Sequence, residues 1–397
     1  MVIDSDTDTT ALIEKLTTQL LDEHPPATTD RRTFLGARFD LGLAAVHFPP
    51  GCGGLGLGPR VQSVVEARLG AAGAPSSAAV NPIGVGMAAP TLATHGTDAQ
   101  RARYLRPLFT GEEVWCQLFS EPGSGSDLAG LSTRAVADGD EWVVNGQKVW
   151  TSLGHLADYG ILLARTNPDV PKHKGLTYFV VDMSAAEVDV RPLFQMTGDA
   201  EFNEVFLTDL HIPDSDRIGD VGDGWRVGLT TLMNERVLIG GGVAQQGQGA
   251  IAPLVELYRT RGGSGPVRQR VAALWARAEV LRLTNLRATV GRSTGTPGPE
   301  GSIGKLAHTE LMQDIHSTTI DLLGMEGTLY PAGYRKIRSQ RSSEAPSRQQ
   351  AFLRSRANSI EGGTTEIMKN ILAERVLGLP GDVRVDKELA WADVARS

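Results

Sequence analysis

The sequence predicts an α+β protein in three parts: an N-terminal all-helical domain (1–114), a middle antiparallel β sandwich or barrel-like domain (115–218), and a C-terminal four-helix bundle (219–397). Three observations carry this reading. Apolar residues recur at helical spacing up to the Val114 region, the period drops to two beyond it, and the helical period returns after Pro213 in segments long enough for a bundle.

In the first part, Leu12, Ile13, Leu16, Leu20 and Leu21 mark a helix over 10–22 that Pro25-Pro26 stops. A second helix is expected over 31–48, running into Pro49-Pro50. Gly51-Cys52-Gly53-Gly54-Leu55-Gly56-Leu57-Gly58 superficially matches a dinucleotide fingerprint. No strand-like run precedes it and no βαβ unit follows, so it reads as an irregular connector. Helical patterning resumes over 60–72 and 83–95, and Thr97 with Gln100 three residues on is a capping-box start for the next helix.

Candidate strands follow at 132–138, 141–144, 147–151, 160–166, 176–182 and 203–212. Asp138-Gly139 and Asn145-Gly146 are expected to be tight hairpin turns. Helices are then expected over 225–259, 266–292, 303–323 and 365–377, with breaks at 262–266 and 293–301. The Arg/Ser/Gln-rich stretch 331–350 reads as an exposed loop.

Composition narrows the function classes. A chain of 397 residues suits two or three domains, and 41% hydrophobic with 21% charged residues is ordinary for a globular protein. A net charge of -7 argues against nucleic acid as the main partner, because a polyanion needs concentrated Lys and Arg. The only cysteines, Cys52 and Cys116, show neither metal-ligand spacing nor a disulfide framework. A reducing cytoplasm is therefore the expected location, in keeping with an acidic N-terminus that lacks a signal-peptide core. No apolar run approaches the ~18 residues of a membrane span, so no membrane insertion is expected.

The most informative stretch is 115–152. It contains Ser120-Glu121-Pro122-Gly123-Ser124-Gly125-Ser126-Asp127 and, beyond the turn signals, Lys148-Val149-Trp150-Thr151-Ser152. Gly, Pro, Ser and Asp dominate ordinary turns, so the first motif alone fits a plain surface bend. It is not a phosphate loop, which would end in Gly-Lys-Ser/Thr at a helix start. Together, however, two Trp, several hydroxyls and the bend can form a flat apolar wall edged with donors, as a planar aromatic cofactor requires.

This ordered block resembles the flavin-binding segment of the acyl-CoA dehydrogenase family, and the helical–β–helical order is similar to that family over nearly the whole chain. The resemblance implies FAD lying between the β module and the bundle, with its tail reaching a neighbouring subunit. Phe119 and Ser120 would contact the ring, Trp150 would stack on it, and Ser152 would bond near N5. Thr364 and Glu366 match positions near the diphosphate, and Gly324 a further cofactor position. Ser126 and Arg236 would touch the acyl-CoA. No catalytic metal is implied. The implied partners are an acyl-CoA thioester, an electron-transfer flavoprotein, and related subunits in a homotetramer or heterotetramer.

Removing hydrogens from the α and β carbons of a thioester needs a hydride acceptor, which a flavin supplies, and a base for the α proton. Desolvation strengthens a carboxylate as a base by raising its pKa. The family places this carboxylate either just before a C-terminal Gly-Thr or in a Glu-Arg pair on the first bundle helix. Here Gly362 precedes Gly363-Thr364, whereas Asn234-Glu235-Arg236 matches the helix motif. Glu235 is thus the expected base, as in the long-chain and isovaleryl branches, with Glu361 the runner-up. A solvated Glu paired with Arg236 is the ordinary alternative, but Gly240-Gly241-Gly242 suggests a close approach to this helix.

Two departures stand out. Arg-x-x-Phe-Gly is absent around 261–269, and Asp321-Leu322-Leu323-Gly324-Met325 replaces Gln-x-x-Gly-Gly. They keep open a hetero-oligomer with fewer flavins than subunits, and a non-catalytic partner subunit. A flavin monooxygenase or N-hydroxylase on the same scaffold is a further alternative. Acyl length, branching or a steroid side chain, and CoA versus carrier protein, are not written in these motifs.

Overall fold

The structure, a computed structural model, describes residues 6–240, 245–291, 301–330 and 346–394. Its N-terminal part contains α1 (Asp6–Glu23), α2 (Arg31–Asp40), α3 (Gln62–Ala71), α4 (Ser77–Val80), α5 (Ala89–His95) and α6 (Asp98–Thr110). Ile13, Leu20, Phe34, Leu35, Val65 and Leu69 pack between α1, α2 and α3. The helix expected over 31–48 stops at Asp40 instead. Gly42 takes φ 73° and the chain folds back on the glycine connector, where a Cβ on Gly54 would stand 2.2 Å from the Phe48 carbonyl oxygen. That close approach requires turns rather than helix. The Thr97–Gln100 capping box is present in both halves and opens α6.

Eight strands follow: β1 (Trp115–Leu118), β2 (Arg134–Asp138), β3 (Glu141–Ser152), β4 (Tyr159–Arg165), β5 (Leu176–Asp182), β6 (Val188–Leu193), β7 (Phe202–Pro213) and β8 (Arg217–Ile218). They form one sheet in the order β6-β7-β3-β2-β4-β5-β8, with β1 beside β4. Pairing is antiparallel except for β1 with β4 and a single parallel contact of β2 with β4. Ile161, Leu163, Tyr178 and Val180 point to the helices, whereas Leu162, Ala164, Phe179 and Val181 meet Trp142, Val144, Val205, Leu207 and Ile212. Strands β5 and β7, from opposite halves of the sheet, thus share one core, which gives the barrel-like curl.

Asp138-Gly139 turns as expected, with Asp138 paired to Glu141. Asn145-Gly146 does not turn: β3 runs straight through it with a register shift against β7. The Asn145 side chain donates to Asp209 and accepts from the Asp209 backbone N–H, tying the irregularity to the neighbouring strand. A Cβ on Gly146 would lie 2.3 Å from Thr133 Oγ1, so glycine is needed there for packing.

The C-terminal part contains α7 (Gly224–Ile239), α8 (Ile251–Arg261), α9 (Gly265–Gly291), α10 (Gly301–Leu323), α11 (Arg348–Arg354) and α12 (Thr365–Ile371). Helices α8, α9 and α10 share a core of Ile251, Leu254, Val271, Leu274, Leu281, Leu311 and Ile315. The helix expected over 225–259 is two helices. Gly240 ends the first, and a Cβ there would stand 3.3 Å from the Lys305 backbone nitrogen. The close approach inferred from this glycine is therefore made by α10; Gly241 and Gly242 lie outside the described residues. Most of the break at 293–301 and of the loop at 331–350 also lie outside them, but 348–350 begin α11 rather than a loop. Among the described residues no helix is long and apolar enough to cross a membrane.

Candidate active site

The end of β1, the turn after it and the end of β3 form one wall. Val149 N–H donates to the Ser120 carbonyl at 2.9 Å. Beneath, the fully buried Lys148 ammonium donates to the carbonyls of Phe119 and Leu163 and to Glu121 Oε1, at 3.0, 2.9 and 2.9 Å. Glu121 also accepts the backbone N–H groups of Ser132 and Thr133. Burial pushes this carboxyl up, but the Lys148 charge and these donors outweigh it and hold it below the usual carboxylate range. Every ammonium proton therefore has an acceptor, and the positions of Phe119 and Ser120 are set.

At Trp150 the backbone takes φ 62°, a left-handed conformation rare for a bulky residue. It coincides with the register shift between Lys148 and Thr151. The indole is 58% exposed and meets Phe202 edge-on at 5.8 Å. Strain and exposure of a large apolar ring at one position suit a surface made to receive a flat partner. Beside it, the buried Thr151 Oγ1 has no hydrogen-bond partner among the described residues. Ser152 is half-buried opposite Phe202. These features fit an isoalloxazine ring.

Helix α7 carries Glu235. It is anchored by Thr231, whose hydroxyl meets those of Tyr178 and Thr91 at 2.8 Å each, and by Thr230 against His95. Glu235 is half-buried beside the Gln117 side chain on β1, which favours its charged form and lies two residues before Phe119. Desolvation lifts its carboxyl to about 7, Glu361 adding to the rise, against the opposing effects of Arg236, Gln117 and Lys305. A Cβ built on Gly362 would lie 3.9 Å from Glu235 Oε1. The helix-borne carboxylate therefore occupies the neighbourhood of the loop position that reads Gly here.

Glu361 has a different environment. Its Oε2 accepts from Arg354 at 2.8 Å and its Oε1 from Asn358 at 2.6 Å. Arg354 also donates to Glu201 at 2.7 Å and lies over the Phe202 ring. Glu361 thus helps fasten the bundle to the strand that supports Trp150. Arg236 is partly buried, and its Nε has no partner among the described residues, beside Glu235 in sequence. Ser126 is exposed on the turn after β1. Thr364 caps α12 by accepting the Ile367 N–H, and Glu366 is exposed in its first turn.

Gly324 does not join this cluster. It sits exposed beyond the C-terminal end of α10, 19 residues from Lys305, which at 1.5 Å per helical residue is about 28 Å away. Nearby, Arg261 pairs with Glu326. The motifs did not single out Lys305, which is fully buried and donates to the Gly363 carbonyl at 2.6 Å, bracing the glycine loop beside Glu235. Its only sequence signal is a lysine among the small residues Gly301, Ser302 and Gly304. Gln117, Lys148 and Arg354 were missed as well. Lys148 sits in a strand that already supplies the buried Trp142 and Val144, a weak sign for an inward charge.

Comparison with known proteins agrees. Profiles of the N-terminal, middle and C-terminal acyl-CoA dehydrogenase domains match residues 12–112, 116–210 and 222–377. An acyl-CoA dehydrogenase of Mycobacterium tuberculosis, IpdE1, is 37% identical over 365 residues, 90% of each chain. The chain belongs to the acyl-CoA dehydrogenase family. Among solved structures, the Tcur3481-Tcur3483 steroid acyl-CoA dehydrogenase matches with a TM-score of 0.71 at 26% identity, covering 96% of this chain and all of that one. The ChsE4-ChsE5 complex of M. tuberculosis matches at 0.69 and 28% identity, with 96% of this chain and 100% of that chain covered. An exposed Trp150 ring on the wall and a Glu235 carboxyl with a raised pKa beside Gln117 are features that acyl-CoA dehydrogenation can use.

Proposed function

We propose that Glu235 is the catalytic base of this acyl-CoA dehydrogenase and that FAD is its cofactor. The observation that carries the proposal is the position of Glu235: half-buried, beside Gln117 of the flavin-wall strand and within 3.9 Å of a Gly362 Cβ. When bound against Trp150, FAD would supply the hydride acceptor for the substrate β carbon. Phe119, Ser120 and Ser152 would hold the ring, and Thr364 and Glu366 would stand near the diphosphate. Glu235 would remove the α proton, and its raised pKa brings its basicity close to neutral pH. Ser126 and Arg236 would bind the thioester, using an exposed hydroxyl and an unpartnered guanidinium nitrogen. Gly324 would serve a flavin shared across subunits, given its distance along α10 from Lys305, which braces the loop beside Glu235.

The three functional units are placed near residues 1–114, 115–218 and 219–397. The substrate class is a branched or steroid side-chain acyl-CoA, by analogy with the solved Tcur3481-Tcur3483 steroid acyl-CoA dehydrogenase. Electrons would leave to an electron-transfer flavoprotein, and the protein would work in the cytoplasm. A heterotetramer with a related subunit is favoured over a homotetramer. It is supported by the departures at 261–269 and 321–325 and by the two-subunit relatives.

The test is anaerobic addition of an acyl-CoA panel to the purified flavoprotein, followed by electron acceptance with an artificial dye. Bleaching by a thioester, with the electrons passed on to the dye, supports dehydrogenation. NAD(P)H-dependent oxygen uptake without bleaching by any thioester would instead favour the monooxygenase reading. Purification without flavin would favour a non-catalytic subunit. Native mass spectrometry showing a fully flavinated homotetramer would remove the heteromer.

A further inference from the structure

We infer that Trp391 and Asp386, on the segment that follows the bundle, are positioning residues for the loop that carries Ser126. This inference rests on the reading of Ser126 as a thioester contact. The segment lies beyond the C-terminal domain match, which ends at residue 377. It returns to the β module, where Trp391 N–H and Ala392 N–H donate to the carbonyls of Val170 and Pro168, each at 2.9 Å.

Three consecutive carbonyls at the end of the Ser126 loop are then satisfied by side chains. The buried Arg165 guanidinium donates to Ala129 O and Leu131 O, and the Trp391 indole N–H donates to Gly130 O at 3.1 Å. The Trp391 ring covers that guanidinium, with the Arg165 carbon 4.3 Å from the ring centroid. On the other side, Lys172 bridges Asp127 at 3.0 Å and Asp386 at 2.8 Å. Asp127 is the neighbour of Ser126, so the segment grips the loop beside Ser126 and again at Gly130. Buried carbonyls without donors are costly, and the loop conformation depends on these partners.

Each contact comes from a residue outside the flavin wall and outside the Glu235 cluster. Loss of the segment should therefore loosen the loop and leave the flavin site intact. The contacts fall on Asp127 and Gly130, past the Ser120–Glu121 part of the turn that meets β3, so substrate affinity should change while cofactor is retained.

The experiment compares Trp391→Ala, Trp391→Phe, Asp386→Asn and Ser126→Ala in the full-length flavoprotein. Readouts are amide hydrogen exchange of the 122–131 peptide, calorimetric affinity for coenzyme A, and flavin content. Trp391→Ala is expected to speed exchange and weaken coenzyme A by about fivefold, the equivalent of one hydrogen bond, with flavin content unchanged. Trp391→Phe, which keeps the ring over Arg165, should fall between Ala and wild type. Unchanged exchange in both Trp391→Ala and Asp386→Asn overturns the inference, as does faster exchange with wild-type affinity. If Trp391→Ala does not fold, Asp386→Asn decides alone by the same two readouts. Should Ser126→Ala bind coenzyme A as wild type does, the Ser126 reading has failed, and the exchange data still decide whether the segment holds the loop.

Discussion

The Oε1 atom of Glu235 lies 3.9 Å from the point where a Cβ on Gly362 would stand. One residue belongs to α7, the other to the loop before α12. A carboxylate carried on either element could therefore reach nearly the same point. In this chain the loop carries glycine at that point and the helix carries a carboxylate.

A base with a carboxyl pKa of about 7 works only when deprotonated. Activity, as kcat/KM, should therefore fall about tenfold per pH unit below 7 and level off above it. The same raised pKa means that the folded chain keeps a proton that the unfolded chain releases from about 4.5 upward. Wild type should lose stability between those two values as pH rises, and Glu235→Gln should not. Steady-state profiles and melting curves across pH 5–9 check both.

Gly362 has φ 64°, and a Cβ there would also lie 2.5 Å from Ile239 Cδ1. Gly362→Ala is expected to cost about 1–2 kcal/mol from the left-handed backbone alone. It should also push Ile239 and α7 away and lower kcat. Denaturant melts alongside turnover measure this.

Lys305 is buried, its ammonium held down by desolvation and raised by Glu361, Glu235 and Glu366. Lys305→Met leaves the Gly363 carbonyl without its donor, at a cost of about 1–3 kcal/mol. It also removes a charge that lowers the Glu235 pKa. The acid limb of the pH profile should move to higher pH, a shift that a purely structural role for Lys305 would not produce.

Lys148→Met strands Glu121 as an uncompensated buried charge, expected to cost about 3–5 kcal/mol. Because Lys148 also holds the Phe119 carbonyl, flavin should be lost on gel filtration before the protein melts. Absorbance near 450 nm in the protein peak is the check.

Much of this was legible in the sequence. The period change after Val114 announced the sheet, the Thr97–Gln100 box opened a helix as written, and the motifs led to Trp150 and Glu235. What was not legible depended on distant contacts. Asn145-Gly146 has the composition of a turn, yet Asp209 on β7 and Thr133 keep it within one strand. Gly240 stops α7 because α10 passes against it, a contact between positions 65 residues apart. Glu361 stood next to the expected loop position, but Arg354 and Asn358 hold both its oxygens. Lys305 gave almost no local signal, since only the fold buries it beside the glycine loop.

The central claim is that Glu235 removes the α proton. Its most direct test is anaerobic mixing of an acyl-CoA that bleaches the wild-type flavin with the Glu235→Gln and Glu361→Gln proteins, followed by stopped-flow absorbance. Glu235→Gln should retain its yellow flavin and bleach about 10²–10⁴-fold more slowly, while Glu361→Gln bleaches at close to the wild-type rate. Rapid bleaching in Glu235→Gln together with its loss in Glu361→Gln would contradict the claim and move the base to the loop.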